Sequence, residues 1–73
     1  MTDRSIRASI ASRAAACGSL LEAYPDPDRE TNLVDLLTDA RHWCDRHRAR
    51  YAELDRRAYR HYAAEIAASR GRP

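Results

Sequence analysis

Residues 29–47 set apolar groups on one side of a helix with unusual regularity. Leu33, Leu36, Leu37, Ala40, Trp43, Cys44 and His47 fall on one face at 100° per residue. Asp35, Asp39, His42 and Arg46 form a second, charged stripe at spacings of four, three and four residues. The pattern predicts an amphipathic helix whose apolar face some other part of the fold must cover. The segment also holds the only tryptophan, one of two cysteines and two of three histidines. The rest of the chain must therefore be arranged around it.

Nothing in the sequence offers a strand as the cover, because no alternating run with turn signals occurs. Two further helices are predicted. The first spans about residues 3–23, with Ile6, Ile10, Cys17, Leu20, Leu21 and Tyr24 on one face. Gly18 lies inside it at a cost of about 1 kcal/mol relative to alanine. Ser19 and Glu22 form a capping-box pattern that allows a kink or restart there. Residues 1–8 are the end expected to fray. Pro25 and Pro27 then stop the helix, and Asp28 or Thr31 is the candidate cap for the second. Asp26, Asp28 and Glu30 gather where the helix dipole favours negative charge.

The third helix spans about residues 52–69. Leu54, Ala58, Tyr62 and Ile66 face inward, Tyr51 and Tyr59 lie at the edges, and Glu53, Arg56, Arg57 and Arg60 face out. Asp55 falls close to the inward stripe, where it can serve the first turn. Gly71 marks the stop. The short connection at Arg48-Ala49-Arg50 implies that the second and third helices form an antiparallel hairpin, with the first packed across it. The expectation is a single all-α domain over residues 1–73, a small three-helix bundle.

A chain of 73 residues buries only about 60% of its unfolded surface, which favours action by contact over a catalytic cleft. Charge is segregated along it. Residues 1–40 hold four arginines and seven acids, a net −3, and residues 41–73 hold nine arginines and four acids, a net +5, which together give the overall +2. All thirteen basic residues are arginine, a usage that a GC-rich coding sequence explains better than selection for phosphate or carboxylate contacts, because arginine also sits where nothing suggests a contact. No apolar run approaches the length of a membrane span. Arg4, Arg7 and Arg13 break up the apolar core that a signal peptide needs, so the expected setting is the cytoplasm.

The reactive residue types do not assemble into a catalytic pattern. Cys44 and His47 are three apart on one face, but no second pair has ligand spacing, so no metal, catalytic or cofactor residue is assigned. A neighbour-bonded, buried His47 is the simpler expectation. Glu30, Asp35 and Asp39 do not reproduce the paired Glu-x-x-Glu and Glu-x-x-Asp motifs of all-helical nucleotide pyrophosphatases. A nucleophilic Cys44 or Ser19 lacks a base oriented by a third group. Cys17 and Cys44 are expected to be free buried thiols, although a bridge between two helices is geometrically open.

Two charged surfaces remain. Asp35, Asp39, His42 and Arg46 are the first candidates for binding a protein partner. Arg56, Arg57 and Arg60, with Arg46, Arg48 and Arg50 nearby, are candidates for nucleic-acid phosphates, although Glu53 at i,i+4 from Arg57 offsets some of that charge. The acids at 26, 28, 30, 35 and 39 could instead occupy a basic groove on a nucleic-acid-handling protein. A core this small also makes self-association into a homodimer a third possibility.

The stretch Thr31-x-Leu33-Val34-Asp35-Leu36-Leu37-Thr38-Asp39-x-x-His42-Trp43-Cys44, followed by Leu54-Asp55-x-x-Ala58-Tyr59-x-His61-Tyr62, resembles small helical proteins of bacterial phages, plasmids and integrative elements. The likeness covers residues 30–62 and leaves 1–24 outside it. It implies an accessory protein of a mobile genetic element, a setting that includes anti-CRISPR inhibitors acting by stoichiometric binding to a CRISPR effector complex. Those inhibitors share no common motif. This chain departs from the pattern at Arg48-Ala49-Arg50-Tyr51, where the resembling proteins carry a Gly-x-Asp-Phe-like loop. The expected function is therefore non-enzymatic protein binding, most concretely inhibition of such a defence complex. The alternatives are nucleic-acid binding and helical dimerisation.

Overall fold

Asp28 begins the second helix through its side chain: its Oδ2 accepts from Thr31 N at 3.2 Å and from Thr31 Oγ1 at 2.7 Å. Both candidate cap residues are thus used, Asp28 as the N-cap and Thr31 as donor to it. The computed structural model describes residues 3–70, and side chains from residue 5 onward. It contains α1 (Asp3–Leu21), α2 (Arg29–Arg46) and α3 (Tyr51–Ser69), with no strand among the described residues. Each helix packs against the other two, which makes the protein a small all-α three-helix bundle. Met1 and Thr2, within the segment expected to fray, lie outside the described residues, and helix is present from Asp3.

Helix α1 runs straight through Gly18, so the Ser19–Glu22 pattern does not restart it. Instead the chain tightens after Leu21. Glu22 N donates to Ser19 O, Ala23 N to Leu20 O and Tyr24 N to Leu21 O, at 3.0–3.2 Å. This three-residue spacing satisfies the last carbonyls before Pro25 forbids further helix.

The turn between α1 and α2 is organised by Asn32, one of two buried residues in the described chain and one the sequence reading passed over. Its Oδ1 accepts from Asp26 N at 3.1 Å, and its Nδ2 donates to Asp26 O at 2.9 Å and to Tyr24 O at 3.4 Å. Asp26 Oδ1 accepts from Asp28 N at 2.8 Å. The acids expected to serve the helix dipole are therefore also turn-forming groups. In a segment with two prolines and few spare donors, one amide side chain satisfies three backbone groups.

At the other end of α2 the chain leaves the helix through Arg48, which adopts a left-handed φ of 57°. Ala49 N donates to Cys44 O at 2.9 Å, the six-to-one closure of a Schellman turn, and Ala49 is half-buried beside it. Across this turn the Arg41 guanidinium lies 4.3 Å from the centre of the Tyr51 ring. Arg50 is the N-cap of α3 and makes no side-chain cap bond, nor does Asp55 supply one.

The three helices do not enclose a core. Cys44 is the only buried apolar residue among those described, at 4% exposure. Leu36, Ala40, Ile66 and Leu21 are half-buried, whereas Leu37, Trp43, Leu54, Tyr62 and Leu20 are exposed. The inner faces expected for α1, α2 and α3 exist as stripes but are not covered. Cys17 also differs from expectation: it is exposed, and both cysteines are free thiols. The reason lies in α3. Its single apolar stripe is divided, the first half lining a groove with α2 and the second half a groove with α1. The molecule is accordingly flat, 42 × 30 × 15 Å. Its radius of gyration is 14.8 Å, against about 11 Å for a globular chain of this length.

Candidate interaction surface

Three surfaces compete for a functional role. The first is the charged stripe of α2. Asp35, Asp39, His42 and Arg46 are all exposed on the side of α2 turned away from Cys44. Asp39 is not a free carboxylate, however. Tyr24 Oη donates to its Oδ2 at 2.7 Å. That bond, together with partial desolvation and the negative field of Asp39 and Asp35, raises the Tyr24 pKa above its ordinary value. Asp39 thus fixes the α1–α2 turn, while Asp35, His42 and Arg46 make no cross-helix bond among the described residues.

The second surface is basic. Arg56, Arg57 and Arg60 are exposed on α3 with Glu53 beside them, and no ion pair joins Glu53 to Arg57 among the described residues. The offset expected from that pair is not formed. The α3 arginines lie opposite the stripe of Leu54, Ala58 and Tyr62, so phosphate binding there would leave the apolar side untouched.

The third surface is apolar and is the largest departure from expectation. A groove of about 450 Å³ between α2 and α3 is lined by Leu37, Ala40, Trp43, Cys44, Leu54 and Ala58, with Tyr51 and Asp55 at its margin. A second groove, between α1 and α3, is lined by Ile10, Ala14, Ala58 and Tyr62, with Arg13, His61 and Glu65 around them. Both border Ala58, and their α3 residues lie on one side of that helix, so the two grooves adjoin. Trp43 is 55% exposed and Tyr62 58%. His47, expected to be buried, is exposed. It stacks on Trp43 with ring centres 4.1 Å apart, and its Nδ1 lies 2.8 Å from Trp43 O. The imidazole thus extends the apolar shelf beyond the indole rather than plugging a core.

The clasp across α1 and α3 is polar and superficial. Arg13 Nε lies 3.2 Å from Glu65 Oε2, and Arg7 Nε donates to Ser69 O at 3.4 Å. The first is an exposed ion pair, worth at most about 1 kcal/mol. The second places a cation on the last carbonyls of α3, where the helix dipole favours it. Neither contact was legible in the sequence, where Arg7 and Arg13 stood out only as interruptions of an apolar run.

Among the described residues no three His, Cys, Asp or Glu side chains converge as a metal site. Cys44 is buried while His47 points outward, so their three-residue spacing does not bring them together as ligands. Among the described residues no helix is long and apolar enough to cross a membrane. No protein-family model matches the chain, and comparison with curated proteins and with solved structures finds no match to it.

Proposed function

We propose that this chain is a non-enzymatic protein-binding module. The observation that carries the reading is the apolar face across α2, α3 and α1, with Trp43, Leu37 and Tyr62 standing exposed on it. Soluble monomers rarely expose contiguous apolar patches of this kind, and such patches mark contact surfaces. Large aromatic groups set among small side chains are also the usual anchors of an interface.

The charged stripe of α2 faces elsewhere, so a second contact can form without displacing the first. In its most concrete form the module belongs to a mobile genetic element and inhibits a CRISPR-type effector complex through Asp35, His42 and Arg46, with Asp39 contributing only its outer oxygen. Residues 30–62 support this through their resemblance to accessory proteins of such elements. Charge complementarity at such a surface would set specificity and on-rate more than affinity. Action in the cytoplasm belongs to the same proposal.

The test is affinity capture from nuclease-treated bacterial lysate expressing an effector complex. Retention of effector subunits by the wild type, lost with Asp35→Ala or His42→Ala, supports the stripe. Recovery of nucleic acid alone, lost after nuclease treatment, transfers the assignment to Arg56, Arg57 and Arg60. The apolar face is tested alongside by Leu37→Arg and Tyr62→Arg. Protein contacts unchanged by both variants would remove that face from the reading.

A further inference from the structure

We infer that the apolar face is covered by a second copy of this chain, so that the working unit is a two-fold homodimer. This rests on reading that face as a protein-binding surface, and it names the occupant.

The first support is area. The chain exposes 6305 Å², about 1,700 Å² more than the roughly 4,600 Å² expected of a folded monomer of 8.3 kDa. Stable homodimers commonly bury 2,000–5,000 Å² in total, or about 1,000–2,500 Å² from each protomer. That excess is summed over the whole molecule, of which the face is one part, and it is of the size that one protomer of such a dimer buries.

The second support is the missing core. Globular domains close a hydrophobic core between packed elements. Here three helices in mutual contact bury only Cys44 as an apolar side chain among the described residues, and the molecule is 15 Å through its thinnest direction. Another copy supplies a matching area and matching apolar character.

The third support is charge. The centre of the face, from Leu37 and Trp43 through Leu54 and Ala58 to Tyr62, is uncharged. At its margin Arg13 pairs with Glu65 within the chain, so that pair brings no net charge to the contact. A two-fold axis sets a patch against itself, and an uncharged centre has nothing with which to repel its own copy. The strongly basic residues Arg56, Arg57 and Arg60 lie away from the contact.

The experiment is sedimentation equilibrium of the full chain, with thermal melts over the same concentrations and iodide quenching of Trp43. A mass of twice 8.3 kDa supports the homodimer. So do a Tm that rises by about 5–10 °C over a hundredfold concentration range and a Trp43 that iodide reaches only on dilution. Leu37→Arg and Tyr62→Arg change side chains already exposed in one protomer. They should yield folded monomers at concentrations where the wild type is dimeric, and variants that stay folded and dimeric would overturn the contact. A wild-type chain that is helical and monomeric at high micromolar concentration, with a concentration-independent Tm and freely quenched Trp43, overturns it. In that event the capture experiment still judges the face on its own: loss of a captured protein in the same two variants would mean that the face docks a different protein. Unchanged behaviour in both experiments would remove the face and the dimer together.

Discussion

Tyr24 Oη donates to Asp39 Oδ2 at 2.7 Å, tying the end of the α1 turn to the third turn of α2. The bond crosses from the last apolar residue of one helix's face to a residue on the charged stripe of the next, so removing either partner loosens how α1 sits on α2. Tyr24→Phe should lower the Tm without loss of helix in α2. It should also alter the response to base. The folded-state pKa of Tyr24 is raised, so its contribution to stability is complete below the ordinary tyrosine value near 10 and is lost as pH climbs through the folded value. Urea melts of the wild type should show that alkaline loss, and those of Tyr24→Phe should show less of it. Equal losses in both proteins would mean that other groups cause the alkaline response.

The same bond separates Asp39 from its neighbour. Asp35→Ala should leave the Tm near that of the wild type, because Asp35 makes no cross-helix bond. Asp39→Ala should lower it by releasing Tyr24. Capture results for Asp39 variants therefore need the Tm measured beside them, and Asp35 is the cleaner probe of binding.

Asn32→Ala should destabilise the fold by about 2–3 kcal/mol, since it removes one buried amide and leaves Asp26 N and two carbonyls without that partner. Asn32→Asp should do nearly as badly. It keeps an acceptor for Asp26 N but loses both donated bonds and adds charge beside Asp26 and Asp28. Denaturant midpoints decide the ranking, and an Asn32→Asp protein as stable as the wild type would show that the donated bonds contribute little.

Helical content and element order were legible because they depend on local signals. The prolines at 25 and 27, the Asp28 cap and the apolar spacing from Leu33 to Trp43 each act within a few residues, and each was realised in the fold. What failed was the inference from an apolar stripe to a covered one. Leu37, Trp43 and Leu54 have core spacing, but the α3 stripe is divided between a groove with α2 and a groove with α1 and closes neither. Periodicity tells which side is apolar; it does not tell which chain closes it. Asn32 carried a signal that could have been read, a polar residue one turn before Leu36 on the inward side and just after a Pro-Asp-Pro-Asp turn. The Tyr24–Asp39 bond and the Arg7 and Arg13 clasps depend on how the helices meet, which no local pattern encodes.

Asp28 contributes to the acid limb. Thr31 donates two hydrogen bonds to its carboxylate, which lowers its pKa below the ordinary aspartate value. A depressed folded-state value means that the contribution is present above the unfolded pKa, near 3.9, and is lost as pH falls through the folded one. Asp28→Asn retains a capping acceptor but cannot be protonated in that range. Its thermal melts should therefore change less between neutral and acid pH than those of the wild type, and an unchanged acid response would show that other carboxylates control it.

Arg48 holds a left-handed φ of 57° with a full side chain, a conformation that costs an L-residue about 1–2 kcal/mol and glycine little. The Ala49–Cys44 closure requires that conformation, so the residue cannot relax without opening the end of α2. Arg48→Gly should stabilise the protein by about 0.5–1 kcal/mol, the relief being partly offset by glycine's greater freedom in the unfolded chain. Arg48→Val, β-branched and ill-suited to positive φ, should destabilise it. Because Arg48 is exposed and makes no ion pair among those described, charge removal alone does not account for opposite signs in the two variants. Arg48→Ala serves as the reference that isolates it. Chemical denaturation of all three proteins tests the ordering glycine, then alanine, then valine. A glycine variant no more stable than the alanine variant would show that the turn is not strained at this position.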